Sequence, residues 1–404
     1  MTKNSQVIQK RYGWAVFLSS LSGFLGFFRE ILIFHALGFS VLNDTLQIYL
    51  SIFYMVLLSG DAVRLSTLNL CERLSLNKII ICISLIMLPL IIIEALILYF
   101  MAGNINSLLL TLTIIGGYLN VVAGILIIYR QRYGAFLAAQ VIYVMPNIVL
   151  IPAVLSIYFL PHNLIIYWLV AACTVVPIVQ IICLFFIKVS PVILQEQVTI
   201  MSGTMVAARH CVAVLGEQLF QIVVRIMCYR LAPGGLSILA IVIRIHATAK
   251  FVLVDSYIGS HLELWDKVKN AKRFSVEAIV SSSTVSAVVM LSSIGLFFLN
   301  SHNESQFVVQ LALILILGFY FSAVARIAYY RINREVHNST LVVRYGLYDL
   351  LSAGLCYIAL LYGSNAIPFV LWFWYIGKLY LQQLFLQTHY KNITFITKNN
   401  YVES

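Results

Sequence analysis

The chain has 404 residues, of which 61% are hydrophobic and only 10% are charged, and its mean hydropathy is +0.95. Soluble domains carry about 25% charged residues, so this composition excludes a soluble globular protein. The net charge of +11 indicates basic cytoplasmic loops in so apolar a chain, and not a nucleic-acid-binding surface.

Apolar runs long enough to cross about 30 Å of hydrocarbon follow one another along the sequence. They predict an all-α polytopic membrane protein with about twelve transmembrane helices. In chain order the runs lie at about 13–36, 44–62, 78–101, 107–129, 135–159, 164–187, 204–230, 236–258, 274–298, 307–329, 341–362 and 366–387.

The two halves of the chain resemble each other in spacing. Arg29 precedes Gly38 by nine positions and Arg225 precedes Gly234 by nine, which offsets the two stretches by 196 residues. The same offset brings the first six runs close to the second six. We therefore predict two parallel-repeat lobes of six helices each. Their bounds are 1–188 for the first lobe, 189–203 for a cytoplasmic linker, and 204–404 for the second lobe with a short cytoplasmic tail.

The loop charges predict the orientation of these helices. Lysine and arginine are concentrated in the N-terminal segment, in the even-numbered loops (Arg64 and Arg73 in the second) and in the C-terminal tail. Arg230 is the loop cation on the opposite side. The positive-inside rule therefore predicts an N-in/C-in protein.

Ionisable side chains within the runs are candidate binding residues, because a charge in hydrocarbon is costly unless it faces a polar interior. Arg29 and Glu30 lie in the first run, and Arg225 lies in the seventh. Guanidinium stays charged when desolvated and pairs with phosphate, so buried arginines suit an anion. Glu217, with Asp349 as a second ligand, would suit a cation or a proton, although a structural ion pair is an equal alternative for Glu217.

Other polar residues within the runs have simpler interpretations. Glu94 and Arg326 are among those expected to extend to the membrane interface from positions near helix ends. Asn147, beside Pro146 in the fifth run, is expected to have a packing role, with a kink and a polar contact as the alternative.

The sequence contains none of the catalytic or nucleotide-binding motifs that we sought. GxSxG, HExxH and the Walker A loop do not occur, and the cysteines form neither a CxxC motif nor a Cys/His cluster. We therefore predict no enzyme, no metal site and no cofactor. Transport would use a gradient, such as Na⁺ or H⁺, or another protein's ATPase.

The stretch 22–44 carries a resemblance to a known family. Its pattern reads Ser22, Leu25-Gly26-Phe27, Arg29-Glu30, Gly38 and Asp44. It resembles the first hairpin of the MviN/MurJ-like flippases, which share the multidrug/oligosaccharidyl-lipid/polysaccharide (MOP) exporter superfamily with the Wzx-like flippases. The stretch 244–267 is similar, more weakly, to the eighth helix of that family.

The resemblance implies a flippase of the bacterial inner membrane. Such a protein moves an undecaprenyl-(pyro)phosphate-linked oligosaccharide by alternating access between two lobes. The resemblance assigns Arg29 and Arg244 to a cationic cavity, together with the acidic Asp44. Glu30 and Arg225 complete the expected substrate-binding set.

The resemblance also bears on coupling and partners. Members that use sodium bind it in the second lobe, which makes Glu217 and Asp349 the ion-coupling candidates. The implied partners are the glycan substrate, the lipid bilayer and glycan polymerase or ligase machinery, with no nucleic acid.

Alternatives remain open both for the cargo and for the function of the chain. Gly23 and about Leu57 stand where lipid II flippases hold arginines, so an O-antigen or exopolysaccharide unit fits better than a peptidoglycan precursor. A cation-coupled multidrug exporter of the same superfamily would have an acidic cavity. A membrane glycan polymerase or ligase would have a sizeable external loop. A transport-inactive scaffold that binds partners is the remaining alternative.

Overall fold

A computed structural model describes residues 3–38, 40–58, 60–102, 106–133, 135–188, 198–231, 235–237, 239–240 and 346–355, with the single positions 358 and 377. Within these ranges every regular element is helical, which confirms the all-α prediction. The helices are α1 (Lys3–Leu37), α2 (Val41–Leu58), α3 (Gly60–Leu70), α4 (Leu76–Ala102), α5 (Ser107–Arg132), α6 (Phe136–Leu155), α7 (His162–Phe185) and α8 (Ile200–Leu231).

Several of these helices have the length and apolar composition of membrane spans. In the described part of the chain five qualify, within α1, α4, α5, α6 with the 3-10 turn that follows it, and α7. Large apolar side chains stand on their outward faces without protein cover: Phe24, Phe100 and Phe159 are 66%, 77% and 89% exposed. Such faces are stable against lipid, where they need no covering protein. The full count of twelve and the two lobe boundaries remain predictions.

Two predicted boundaries differ from the helices observed. The second run ends at about 62 by hydropathy, but α3 continues to Leu70 and includes Arg64, which the sequence placed in a loop. Hydropathy fails there because α3 buries polar residues: Thr67 is fully buried and its hydroxyl donates to the Val63 carbonyl at 2.7 Å. Residues 200–203, which fall within the predicted linker 189–203, belong to α8.

The turn between α1 and α2 is closed by a left-handed glycine. Gly38 has φ of +62°, and its N–H donates to the Phe34 carbonyl at 2.8 Å. The Asn43 side-chain amide then donates to the Gly38 carbonyl at 2.9 Å. Only glycine adopts this conformation without steric cost, and the turn places Asp44 in the first turn of α2.

Helix α8 packs along α3 and α4 in a shared apolar core. The core joins Met87 and Ile91 of α4 to Ile222 and Ile226 of α8. Near the start of α8 the approach is close, because a Cβ added to Gly203 would lie 2.8 Å from the Leu74 side chain. The first helix of the predicted second lobe is therefore in contact with first-lobe helices along its length.

We call one end of the bundle the outer end. There α1, α4 and α8 finish, and α2, α5 and α7 begin. The loop charges predict that it faces away from the cytoplasm. The Tyr49 hydroxyl of α2 accepts the Asn106 N–H before α5 at 2.9 Å, which joins two of these helix starts.

Candidate functional site

Arg29 and Glu30 form a buried ion pair on α1. Arg29 Nη2 lies 2.6 Å from Glu30 Oε1, and the two residues are 8% and 1% exposed. Arg29 precedes the end of α1 by eight residues, which places it about 12 Å from the outer end at about 1.5 Å per residue. Both charges of the first helix therefore face the protein interior, as we expected from the sequence.

Asn147 of α6 holds the Arg29 guanidinium in place. Its Oδ1 accepts from Arg29 Nη1 at 3.4 Å, while its Nδ2 donates to the carbonyl and the hydroxyl of Ser22 at 2.8 and 2.9 Å. Both ends of the amide are thus used, which determines its orientation. From the sequence we favour a packing role for Asn147 over a kink and a polar contact, but these hydrogen bonds show the polar contact. Its position beside Pro146 in an apolar run was the available signal, but its partners were not predictable.

Asp44 joins the two halves of the sequence at the outer end. Its Oδ1 accepts the Ser237 N–H at 2.9 Å and the Ser237 hydroxyl at 2.6 Å. Asp44 is 1% exposed and Ser237 is fully buried. The residue predicted to contact substrate therefore binds the chain just beyond α8 in this structure. A carboxylate that accepts two hydrogen bonds makes a strong contact between helices.

Arg225 of α8 lies between α2 and α4. Its Nη1 donates to the Ser51 hydroxyl at 2.6 Å, and Arg225 is 4% exposed. The Ser51 hydroxyl donates in turn to the Gln47 carbonyl at 2.6 Å, so its oxygen is free to accept from the guanidinium. Arg225 precedes the end of α8 by six residues, about 9 Å at about 1.5 Å per residue.

Glu94 of α4 is a buried carboxylate that interacts electrostatically with Arg225. It is 3% exposed, so the expectation that it extends to the membrane interface is wrong. From the sequence alone, the position of Glu94 near the end of its apolar run suggested that its side chain extends to the interface. The packing of α8 against α4 instead covers it, and hydropathy carries no information about that contact.

The structure describes the side chain of only one of the two ion-coupling candidates, so their pairing remains a prediction. Asp349 is fully buried in the helical segment 346–355. The side chain of Glu217 and the whole of Arg244 lie outside the described residues, so their roles remain predictions. Among the residues described, no cluster of histidine, cysteine, aspartate or glutamate could hold a metal ion.

At the opposite end, which we call the inner end, Tyr133 contacts the backbone of Cys71. The Tyr133 hydroxyl donates to the Cys71 carbonyl at 2.6 Å, in the segments that follow α5 and α3. Burial raises the pKa of the Cys71 thiol and the pKa of the Tyr133 hydroxyl. Both groups are therefore neutral near pH 7, and Cys71 is a poor nucleophile.

Arg29 and Arg225 thus lie at similar depths on different helices, and a buried carboxylate interacts with each of them. Arg29 has Glu30 and Arg225 has Glu94. Planar guanidinium groups at one depth can bind a phosphate or pyrophosphate through paired hydrogen bonds.

Comparison of folds supplies the context for this arrangement. The inward closed conformation of the lipid II flippase MurJ matches with a TM-score of 0.67 and 18% identity, covering 93% of this chain and 87% of that one. A eukaryotic MATE transporter matches with a TM-score of 0.65 and 14% identity, covering 94% and 96%. The chain has the fold of the MOP transporters.

A third match extends over almost the whole of both chains. An outward-facing multidrug resistance MATE family transporter of the MOP superfamily matches with a TM-score of 0.59 and 12% identity, covering 98% and 99%. No protein-family model and no curated protein matches the sequence. At these identities the MOP resemblance establishes the fold, and the function has to be argued from the residues.

Proposed function

We propose that this chain is a flippase that moves an undecaprenyl-(pyro)phosphate-linked oligosaccharide across the bacterial inner membrane by alternating access. The main observation that supports this proposal is the position of Arg29. It is a buried arginine on the first helix of a MOP fold, held by Glu30 and Asn147. The fold match to a protein described as a lipid II flippase supports a lipid-linked cargo. An O-antigen, an exopolysaccharide unit or a peptidoglycan precursor carries the same phosphate chemistry.

In this proposal the arginines bind the phosphate groups and the polyprenyl tail stays in lipid. Arg29 and Arg225 are the described members of the set, and Arg244 is its predicted member. Neutralising the anionic head group lowers the cost of moving it through a low-dielectric region. Arginine is the suitable residue because it does not lose its proton on desolvation.

Alternating access requires the outer end to open and close. In this proposal the Asp44–Ser237 contact holds it closed, because the two hydrogen bonds join the start of α2 to the chain beyond α8. Release of cargo to the outside would break these two hydrogen bonds. A net cost of about 1.5–3 kcal/mol for a hydrogen bond to a charged group is small enough for a transport cycle to overcome.

A cation-coupled multidrug exporter is the second candidate function. The buried carboxylates Glu30 and Glu94 and the match to MATE transporters favour it, since acidic groups bind cationic drugs. The flippase is preferred because Glu30 forms an ion pair with Arg29 and Glu94 interacts electrostatically with Arg225, so a buried arginine offsets the charge of each carboxylate.

The first test is to compare lipid-linked sugars in cells with and without this protein. Undecaprenyl-linked lipids are extracted and identified by mass spectrometry. Accumulation of one unpolymerised repeat unit, inaccessible from the periplasm, is the expected result and also identifies the cargo. An unchanged lipid pool with altered sensitivity to cationic drugs would replace the flippase with the exporter.

Complementation of the same cells by variants tests the site. Arg29→Ala should leave the lipid accumulated, because the phosphate ligand is lost. Arg132→Ala is the matched control: Arg132 pairs with the exposed Glu72 at the inner end, and surface pairs contribute about 0–1 kcal/mol. Arg132→Ala should restore the wild-type pool at equal protein abundance. Full restoration by Arg29→Ala would contradict the proposed site.

A further inference from the structure

Glu94 is a buried carboxyl group that the phosphate-binding mechanism leaves unused. It lies eight residues before the end of α4, about 12 Å from the outer end at about 1.5 Å per residue. It is 3% exposed, and its Oε1 has no hydrogen-bond partner among the residues described. Burying an ionised carboxylate without hydrogen bonds is costly, so such a group requires a neutralising ligand or a proton.

The surroundings of Glu94 favour a proton over a metal cation. Ile91 and Leu98 lie three and four residues away on the same face of α4, and Ile222 and Ile226 flank Arg225 across the interface. These residues belong to one apolar core. A hard cation needs several oxygen ligands, and this interface presents hydrocarbon instead. A proton needs none.

Among the side chains that the structure describes, the packed helices present few charged or titratable groups at this depth. Arg225 of α8 interacts electrostatically with Glu94, and Cys211 of the same helix contacts Met87, nearer the opposite end. On α5, Tyr118 bonds to Ser84, ten residues before Glu94. Helix α2 contributes the neutral hydroxyl of Ser51 to Arg225, and α3, with Arg64, begins in the deeper half of the bundle.

We propose that Glu94 is a proton-binding residue that links proton uptake to phosphate binding at Arg225. The inference rests on the proposed flippase function, which supplies the phosphate. As a carboxylate, Glu94 compensates the guanidinium charge and competes with a phosphate for it. Once Glu94 is protonated, it no longer competes with the phosphate of the cargo for the guanidinium group of Arg225. By thermodynamic linkage, proton and phosphate then favour each other's binding.

This linkage is compatible with outward movement of the cargo. A dianionic pyrophosphate head group that binds together with one proton still carries negative charge. The inside-negative membrane potential therefore favours its passage to the outside. Protonation of Glu94 therefore lowers the net negative charge that crosses the membrane. The negative charge that remains is still driven outward by the membrane potential.

Proton uptake can be measured directly with undecaprenyl pyrophosphate as the probe. Its binding to the purified full-length protein is followed by calorimetry in two buffers of different ionisation enthalpy. Wild type should take up about one proton per bound lipid, and its Kd should change by up to about tenfold per pH unit where Glu94 titrates. The terminal phosphate of the probe has its own pKa, about 6, and this contribution is common to both proteins. Glu94→Gln should therefore take up about one proton fewer than wild type and should show a weaker dependence of Kd on pH.

Two further variants separate a proton site from a structural role. Glu72→Gln removes an exposed carboxylate at the inner end and should keep wild-type proton uptake. Glu94→Asp retains a titratable carboxyl group and should also keep it. Equal proton uptake by wild type and Glu94→Gln, or lipid binding by wild type without proton uptake, would overturn the proposal.

Infrared titration without lipid distinguishes this proposal from the flippase function itself. A carboxyl C=O band that appears on acidification of wild type and is missing in Glu94→Gln identifies the proton site. If that band is present and wild type binds no undecaprenyl pyrophosphate, the flippase function fails while Glu94 remains a proton-binding residue. If no such band is lost in Glu94→Gln, the proton site is refuted.

Discussion

At the scale of single residues, the buried charges of this protein are arranged in short chains of contacts. Arg29 reaches its own neighbour Glu30, although consecutive helical residues do not face each other. The long guanidinium side chain makes this possible, and Asn147 supplies the second contact that holds it. An arginine so constrained loses little entropy when it binds a phosphate.

Asp44 and Ser237 allow a graded prediction about the outer end. Asp44→Ala removes both hydrogen bonds to Ser237, whereas Ser237→Ala removes only the hydroxyl bond and keeps the N–H bond. Because about 1.4 kcal/mol corresponds to a tenfold population change, Asp44→Ala should open the outer end by tenfold or more, and Ser237→Ala by less. Opening is measured as the rate at which an impermeant thiol reagent labels Gln47→Cys, one turn below Asp44.

The Gln47→Cys protein without a second substitution supplies the reference rate. Gln47 is 1% exposed, so labelling in the reference should be slow. Equal labelling rates in all three proteins would show that this contact does not close the outer end.

At the scale of elements, the described helices approach one another through small residues. A Cβ added to Gly116 of α5 would lie 2.6 Å from the Phe53 ring of α2 and 2.9 Å from Thr174 Oγ1 of α7. Glycine there is a packing requirement at a crossing of three helices. Gly13 of α1 has no atom within 4 Å of such a Cβ and carries no such requirement.

This contrast predicts opposite effects of one substitution. Gly116→Ala should lower the free energy of unfolding by about 1–3 kcal/mol, since the added methyl overpacks the crossing. Gly13→Ala should be neutral or stabilising by up to about 1 kcal/mol, because alanine is the better helix former. Thermal unfolding of both variants in the same detergent measures the difference. A loss of stability in Gly13→Ala equal to that in Gly116→Ala would contradict the packing argument.

At the scale of the whole molecule, the charge distribution predicts which end faces the cytoplasm. Ser107 at the start of α5 and Ser75 just before α4 are both exposed and lie at opposite ends of the bundle. In intact spheroplasts, an impermeant maleimide should label Ser107→Cys and not Ser75→Cys. The reverse pattern would invert the predicted orientation.

The parent protein is the baseline for this labelling. Of the five native cysteines among the described residues, Cys71, Cys82 and Cys211 are buried and Cys173 and Cys183 are half-buried. Burial raises the pKa of Cys71, so the small thiolate population further lowers its reactivity. Labelling of Ser75→Cys after permeabilisation shows that the inner site is reactive when the reagent can reach it.

The sequence by itself determined the class of this protein. It also determined the approximate positions of α1, α2 and α4 to α8. Hydropathy is a local property of the sequence. Apolar runs therefore identify a membrane-spanning helix where most of its surface faces lipid. Hydropathy missed α3 beyond residue 62, because that helix buries polar groups such as Thr67 against protein. The charges inside the runs identified Arg29, Glu30, Asp44 and Arg225 as residues in need of partners.

Only the tertiary structure decided which partners those are. Arg29 meets Asn147 across 118 positions, Arg225 meets Ser51 across 174, and Asp44 meets Ser237 across 193. Such contacts depend on how helices pack, and a side chain's neighbours across an interface leave no trace in the local pattern. Glu94 illustrates this best: residue type and spacing suggest an interface carboxylate, and the packing of α8 makes it a buried one beside Arg225.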